Sequence, residues 1–212
     1  MLEDFRIASS PDLRTPTILR FLNQFRAAPN LLTLLRLFII PFLVIEITDG
    51  DYRTAFALFL LAGISDGMDG LLARWLRQHT RLGEYLDPIA DKLMLSTLFV
   101  TLTHVGLIPR YVTVLVLSRD LGILLIATLL FATGTLRDFR PSFLGKVNTV
   151  AQILTLIAVL CERVFAASAD SAGLLMLRNG LLRGIAVLAP ISAAQYAWIV
   201  IRRVNAPEVQ AS

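Results

Sequence analysis

Six apolar segments separated by short polar breaks leave this chain few ways to fold. They run from about Leu31 to Ile47, Thr54 to Trp75, Tyr85 to Val105, Tyr111 to Thr133, Phe143 to Val164 and Leu181 to Ile201. A helix that crosses a bilayer needs about 20 mostly apolar residues, and each segment comes near that length. The breaks carry turn formers: Thr48-Asp49-Gly50-Asp51, Gly106 to Pro109, Gly134, Pro141, and the stretch from Ser168 to Gly173. Composition agrees, since 56% of the 212 residues are hydrophobic and only 17% are charged, where a soluble domain is nearer a quarter charged. The expected fold is an all-α integral membrane protein of six transmembrane helices. Residues 29–204 would form one domain, with an N-terminal segment 1–28 and a C-terminal tail 205–212. Pro41 in the first span and Pro88 near the start of the third are expected to kink or begin helices, which bundle neighbours can tolerate.

The first 28 residues carry Asp, Glu and Pro and lack an apolar core before a cleavage site, so they do not read as a signal peptide. Within them Leu13, Ile18, Leu19, Leu22 and Phe25 alternate with Arg14, Arg20 and Arg26. That pattern predicts a short amphipathic helix on the membrane surface, with a solvated tail as the alternative. Six spans place the N-terminus, second loop, fourth loop and C-terminus on one side. That side holds Arg6, Arg14, Arg20, Arg26, Arg74, Arg77, Arg81, Arg137, Arg140, Lys146, Arg202 and Arg203. The other side holds Arg53, Arg110, Arg163 and Arg178. The excess of basic residues puts both termini in the cytoplasm. Net charge is modest at 20 − 16 = +4, and no nucleic-acid partner is expected. Cys161, alone in an apolar run, offers neither a disulfide nor a zinc spacing and reads as core filler.

Charged groups inside spans are costly, at about 2.5 to 3.5 kcal/mol each on insertion scales, and point to function. This chain gathers several of them. Asp66 and Asp69 are three apart on the second segment, and Asp87 and Asp91 are four apart on the third. Each pair shares a helix face. The link from Leu76 to Leu82 is short enough to make the two helices antiparallel neighbours, so four carboxylates can converge near their cytoplasmic ends. Carboxylates that close repel one another unless cations lie among them. Hard oxygen donors select Mg²⁺, Mn²⁺ or Ca²⁺ over zinc, and two such ions suit phosphoryl chemistry. Gly70 and Ala73 would let a ligand approach the helix backbone, and Arg74 can grip a phosphate. Taken singly these residues have plainer readings. Gly70 and Ala73 could line a helix-packing seam, and Arg74 could be an interfacial anchor.

The whole run, Asp66-Gly-Met-Asp69-Gly70-Leu-Leu-Ala73-Arg74, eight residues, Gly83-Glu-Tyr-Leu-Asp87-Pro-Ile-Ala-Asp91, resembles the signature of the CDP-alcohol phosphotransferases, D-x2-D-G-x2-A-R-x8-G-x3-D-x3-D, with every fixed position met. The resemblance implies that Asp66, Asp69, Asp87 and Asp91 ligate two divalent ions, Mg²⁺ or Mn²⁺. Asp91 would also be the catalytic base for the acceptor hydroxyl. Asp66, Asp69, Gly70, Ala73, Arg74 and Gly83 would contact the cytidine diphosphate. It further implies a multi-pass inner-membrane enzyme, usually a homodimer, with its active site on the cytoplasmic side and CDP-diacylglycerol as donor. The similarity covers roughly Pro29 to Leu160.

Within that family, Pro29-Asn-Leu-Leu-Thr-Leu-Leu-Arg36 is similar to the opening of the glycerophosphate-using and cardiolipin-making branches. Leu107-Ile-Pro109, Ser118-Arg119-Asp120 and Gly145-Lys146-Val-Asn148-Thr149 resemble the CDP-diacylglycerol-dependent cardiolipin synthases more closely. Enzymes that use glycerol 3-phosphate tend to carry Ala-Arg-Glu at the first site and a second Lys in place of Asn148. A phosphate monoester carries nearly two negative charges and favours an additional cation, whereas the phosphodiester of phosphatidylglycerol carries one. Arg119, Lys146 and Asn148 are therefore the acceptor-binding candidates, with phosphatidylglycerol the expected acceptor and glycerol 3-phosphate the alternative. Arg119 could instead be held in an ion pair with Asp120, and Lys146 could be a loop cation. An ion or proton transporter also places carboxylates in spans, but spreads them along a path or across inverted repeats. Here they cluster at one depth.

Overall fold

The computed structural model describes residues 28–76, 81–132, 143–165 and 171–204; within the helices, side chains are described for 33–65, 89–126, 128, 143–165 and 172–202. Among these residues the chain forms six helices and no strand. They are α1 (Ala28–Asp49), α2 (Tyr52–Leu76), α3 (Arg81–His104), α4 (Arg110–Ala132), α5 (Phe143–Val164) and α6 (Ser171–Val204). Helix α1 runs unbroken through Pro41, and α6 through Pro190.

Two of the connections show how local sequence sets the helix ends. At the end of α1, Gly50 takes φ 83°, its amide donates to the Ile47 carbonyl, and the Asp51 amide donates to Glu46. At the end of α3, Gly106 takes φ 77°, its amide donates to Thr103, and the Leu107 amide donates to Leu102. Both are left-handed glycine caps that satisfy carbonyls a helix end leaves open. Asp51 then starts α2 by accepting from the Thr54 amide at 3.1 Å and the Thr54 hydroxyl at 2.8 Å. Those bonds, the hydroxyl's first, hold the Asp51 carboxyl below the usual carboxylate range. Its share of the cap is present above the unfolded pKa and is lost as pH falls through the lower folded value.

Helix α1 packs on α2 and α3, while α4 and α5 pack on α6; α2 also meets α5, and α3 meets α4 and α5. Leu43, Ala55, Phe59, Leu98, Phe99, Val112, Leu156 and Ile185 fill the space between them. The outward faces are equally apolar, as Phe38, Ile64, Val100, Leu124, Val150 and Trp198 show, one from each helix in turn. Faces of this kind are stabilised by contact with hydrocarbon rather than water. Among the described residues two helices, Phe143–Val164 and Ala172–Arg202, are long and apolar enough to cross a membrane, and α2 is apolar over the shorter run Tyr52–Ser65. Ionisable residues interrupt α1 at Arg36, α3 at Asp91 and Lys92, and α4 at Arg119 and Asp120. The amphipathic helix expected before residue 28 and the tail after residue 204 lie outside the described residues.

The last helix corrects the sequence reading. It begins at Ser171 rather than near Leu181, because Arg178, which reads as a polar interruption, is answered inside the fold. Its guanidinium donates to the Leu107 carbonyl at 2.5 Å and lies 3.7 Å from Glu162. The α3–α4 connection and the α5–α6 ends therefore meet at one end of the bundle.

Gly106→Ala should lower the unfolding free energy in detergent by about 1 kcal/mol, because a side chain resists positive φ. Gly122→Ala, in open space within α4, should be neutral or slightly stabilising. Paired denaturation curves check the contrast.

Candidate active site

A polar layer crosses the apolar bundle well away from the Gly50 and Gly106 end. Asp120 on α4 is its hub. It accepts from Lys92 Nζ on α3 at 2.9 Å, from Arg119 Nη1 at 2.5 Å and from Gln152 Nε2 on α5 at 3.3 Å. Arg119 donates in turn to Ser192 Oγ on α6 from Nε and Nη2, at 3.2 and 3.0 Å. The Asp120 carboxylate joins three helices, and Arg119 extends the link to the fourth. The contacts counted as charges, Lys92 and Arg119 against Asp120, leave the hub at 2 − 1 = +1. A second ion pair lies on α1 and α3, where Arg36 Nη1 sits 2.5 Å from Asp91 Oδ1. Arg36 is fully buried, while the Asp91 side chain is 40% exposed. Transferring such charges from water is costly unless they are paired, and in this layer they are.

Asp91 borders an apolar cleft of about 350 Å³ between α2, α3 and α5. Phe59, Gly63 and Ile64 form one wall, Met94 the second, and Thr149 and Ile153 the third. The cleft joins a carboxylate to a hydrocarbon-lined space, an arrangement suited to a ligand with a polar head and an apolar tail.

Of the site residues expected from sequence, Asp66, Asp69, Gly70, Ala73 and Arg74 fall on the α2 backbone, and Gly83 and Asp87 on that of α3. Their side chains lie outside the described residues. Both aspartate pairs thus occupy continuous helix, which fixes the shared-face spacing, and α2 and α3 border the same cleft. Arg119 makes the ion pair with Asp120 weighed as its alternative reading, and is 7% exposed. Lys146 is exposed at the start of α5. Asn148 is fully buried, and neither its amide nitrogen nor its oxygen has a hydrogen-bond partner among the described residues. Sequence reasoning missed Arg36, Lys92, Gln152 and Ser192. The available signal was the cost of Arg36 and Lys92 inside apolar segments; the polar groups of Gln152 and Ser192 carry no such mark.

Among the described residues no three His, Cys, Asp or Glu side chains cluster as a metal site. Asp91, the described member of the aspartate set, nevertheless fits a hard divalent cation: it is an oxygen donor, part-exposed, and faces the cleft that α2 also borders.

The model of the CDP-alcohol phosphatidyltransferase family matches residues 26–196, and the chain belongs to that family. It is 36% identical over 155 residues to the human protein named cardiolipin synthase (CMP-forming), covering 65% of this chain and 51% of that protein. It is 36% identical over 133 residues to the probable phosphatidylglycerophosphate synthase of Mycobacterium tuberculosis H37Rv, covering 60% of this chain and 62% of that one. It is 32% identical over 151 residues to the CDP-diacylglycerol–glycerol-3-phosphate 3-phosphatidyltransferase of Bacillus subtilis, covering 64% and 77%. The chain spans about half the length of the human protein. Relatives named for two different products, cardiolipin and phosphatidylglycerophosphate, are equally identical to it at 36%.

Removing the hub carboxylate should be severe. Asp120→Ala leaves the buried Arg119 without its carboxylate and should cost about 3–5 kcal/mol of stability. Lys92→Met removes a part-exposed partner and should cost far less. Thermal unfolding of both variants in detergent checks the order.

Proposed function

We propose that this chain transfers a phosphatidyl group from CDP-diacylglycerol to an alcohol, with phosphatidylglycerol as acceptor, cardiolipin as product and CMP released. The observation that carries this reading is Asp91, the last residue of the family signature, at the edge of an apolar cleft shared by the two signature helices. We further read all six helices as membrane-spanning, supported by the apolar outward face of each. The basic residues support termini and active site on the cytoplasmic face of the inner membrane. Residues 29–204 would be the transferase domain, with residues 1–28 an amphipathic surface segment, residues 205–212 a tail, and a homodimer the working unit.

In this mechanism Asp66, Asp69, Asp87 and Asp91 would hold two divalent ions, Mg²⁺ or Mn²⁺, whose positive charge would offset that of the diphosphate and the departing phosphate. Asp66 and Asp69 would contact the cytidine diphosphate through those ions. Gly70, Ala73 and Gly83 would leave room for it, and Arg74 would neutralise a phosphate. The acceptor hydroxyl oxygen forms a bond to the phosphorus that bears diacylglycerol. The bond from that phosphorus to the bridging oxygen breaks, and CMP leaves with the electron pair. Asp91 takes the hydroxyl proton. The cleft lets a lipid enter from the side with its tail in hydrocarbon.

Charge supports the choice of acceptor. Arg119 is matched by Asp120, so with Lys92 the hub offers one net positive charge. A phosphodiester carries one negative charge, whereas glycerol 3-phosphate carries nearly two. Asn148 adds no cation to the hub, and Lys146 is exposed at the start of α5, where water and salt screen its charge. The second reading, glycerol 3-phosphate as acceptor, is favoured by the similarity to the Bacillus subtilis protein.

Purified protein offered both acceptors together should make cardiolipin, read by product mass. Asn148→Lys should shift product toward phosphatidylglycerophosphate. Wild-type protein that makes phosphatidylglycerophosphate and no cardiolipin would reverse the acceptor assignment. Asp66→Asn, Asp69→Asn and Asp87→Asn should each lose orders of magnitude in turnover while remaining folded. Retention of more than about a tenth of activity in all three would contradict the two-metal reading.

A further inference from the structure

We propose that Arg36 is a positioning residue for the transfer step, holding the Asp91 carboxylate from behind so that it meets the acceptor hydroxyl at the right distance and angle. The inference rests on the reading of Asp91 as proton acceptor. Arg36 lies on α1, outside the signature, and 55 residues before its partner. Its side chain is fully buried, whereas Asp91 is part-exposed and borders the cleft. Arg36 therefore stands on the protein side of Asp91 and can act on substrate through that carboxylate. Its Nη1 donates to Asp91 Oδ1 in a close charge-assisted contact of 2.5 Å.

The chemistry needs that restraint. A proton acceptor has to come within about 2.6–3.2 Å of the hydroxyl, and a 1 Å misplacement can cost about a hundredfold in rate. An aspartate has few torsions of its own, so fixing one carboxylate oxygen orients the whole group. A guanidinium suits the task because it keeps its charge when buried and presents its donors in a rigid plane, where an ammonium presents a mobile point charge. Arg36 also brings a permanent positive charge to a region where the signature places four carboxylates, which eases their mutual repulsion.

The test compares wild type, Arg36→Met, Arg36→Lys and Asp91→Asn. It reads kcat and KM for CMP release from CDP-diacylglycerol, Mn²⁺ binding by electron paramagnetic resonance, and thermal unfolding. Arg36→Met should lose about a hundredfold in kcat, with KM for the donor and Mn²⁺ affinity within about threefold of wild type. Arg36→Lys, which keeps charge without the fork, should recover part of the rate. Unchanged kcat in folded Arg36→Met overturns the proposal, and so does a matched loss of donor and Mn²⁺ binding. If Arg36→Met fails to fold, Arg36→Lys decides. A fall of about tenfold or more in kcat at unchanged KM supports the proposal, and a smaller fall overturns it. Asp91→Asn separates the two levels. Near-wild-type turnover in that variant contradicts the base assignment and the proposal with it. An inactive Asp91→Asn beside a fully active Arg36→Met contradicts the role of Arg36 alone.

Discussion

Charge placed inside an apolar bundle has to be answered by other charge, and in this chain Asp120 answers the most. It binds Lys92, Arg119 and Gln152, and Arg119 carries the link on to Ser192. These contacts reach across α3, α4, α5 and α6, whose remaining contacts are largely apolar and directionless. Hydrophobic packing tolerates many sliding arrangements of neighbouring helices, whereas a shared carboxylate selects one register. The Arg36–Asp91 pair does the same for α1 against α3. Together they fix the side of α3 that meets the cleft.

Much of this was legible in the sequence, for identifiable reasons. The breaks at Gly50 and Gly106 were visible as turn residues and proved to be left-handed caps. The aspartate spacings were readable because three- and four-residue intervals define a helix face, and both pairs lie in continuous helix. The start of α6 was not readable, because Arg178 and Asn179 lower hydropathy without breaking a helix. The partner of Arg178 is the Leu107 carbonyl, 71 residues away. The polar layer was hidden for the same reason. Lys92 and Asp120 are 28 residues apart, and Gln152 and Asp120 are 32. Periodicity reports which face of a helix is polar, not which distant residue it meets. Hydropathy gave the opposite difficulty: it marked six similar segments, while among the described residues α5 and α6 are the two helices long and apolar enough to cross a membrane.

The placement of the polar layer has a consequence for substrates. An apolar cleft that ends at a carboxylate suits a reacting group attached to a hydrocarbon tail, and disfavours a fully hydrated solute. The small residues of the signature, Gly70, Ala73 and Gly83, belong to the same two helices as the cleft walls. Under the proposed function, a lipid donor and a lipid acceptor would meet at the polar layer while their tails stay in hydrocarbon. The Lys92–Arg119–Asp120 hub carries a single net positive charge, which under the proposed function would match a singly charged phosphodiester.

The central claim is that this polar layer performs divalent-metal-dependent phosphatidyl transfer. The most direct measurement is CMP release by purified protein in liposomes containing CDP-diacylglycerol and phosphatidylglycerol, with Mg²⁺ or Mn²⁺, then with chelator, then with metal restored. The account predicts release that stops on chelation and resumes when metal returns. No release under any of these conditions, from protein that stays folded, would contradict it.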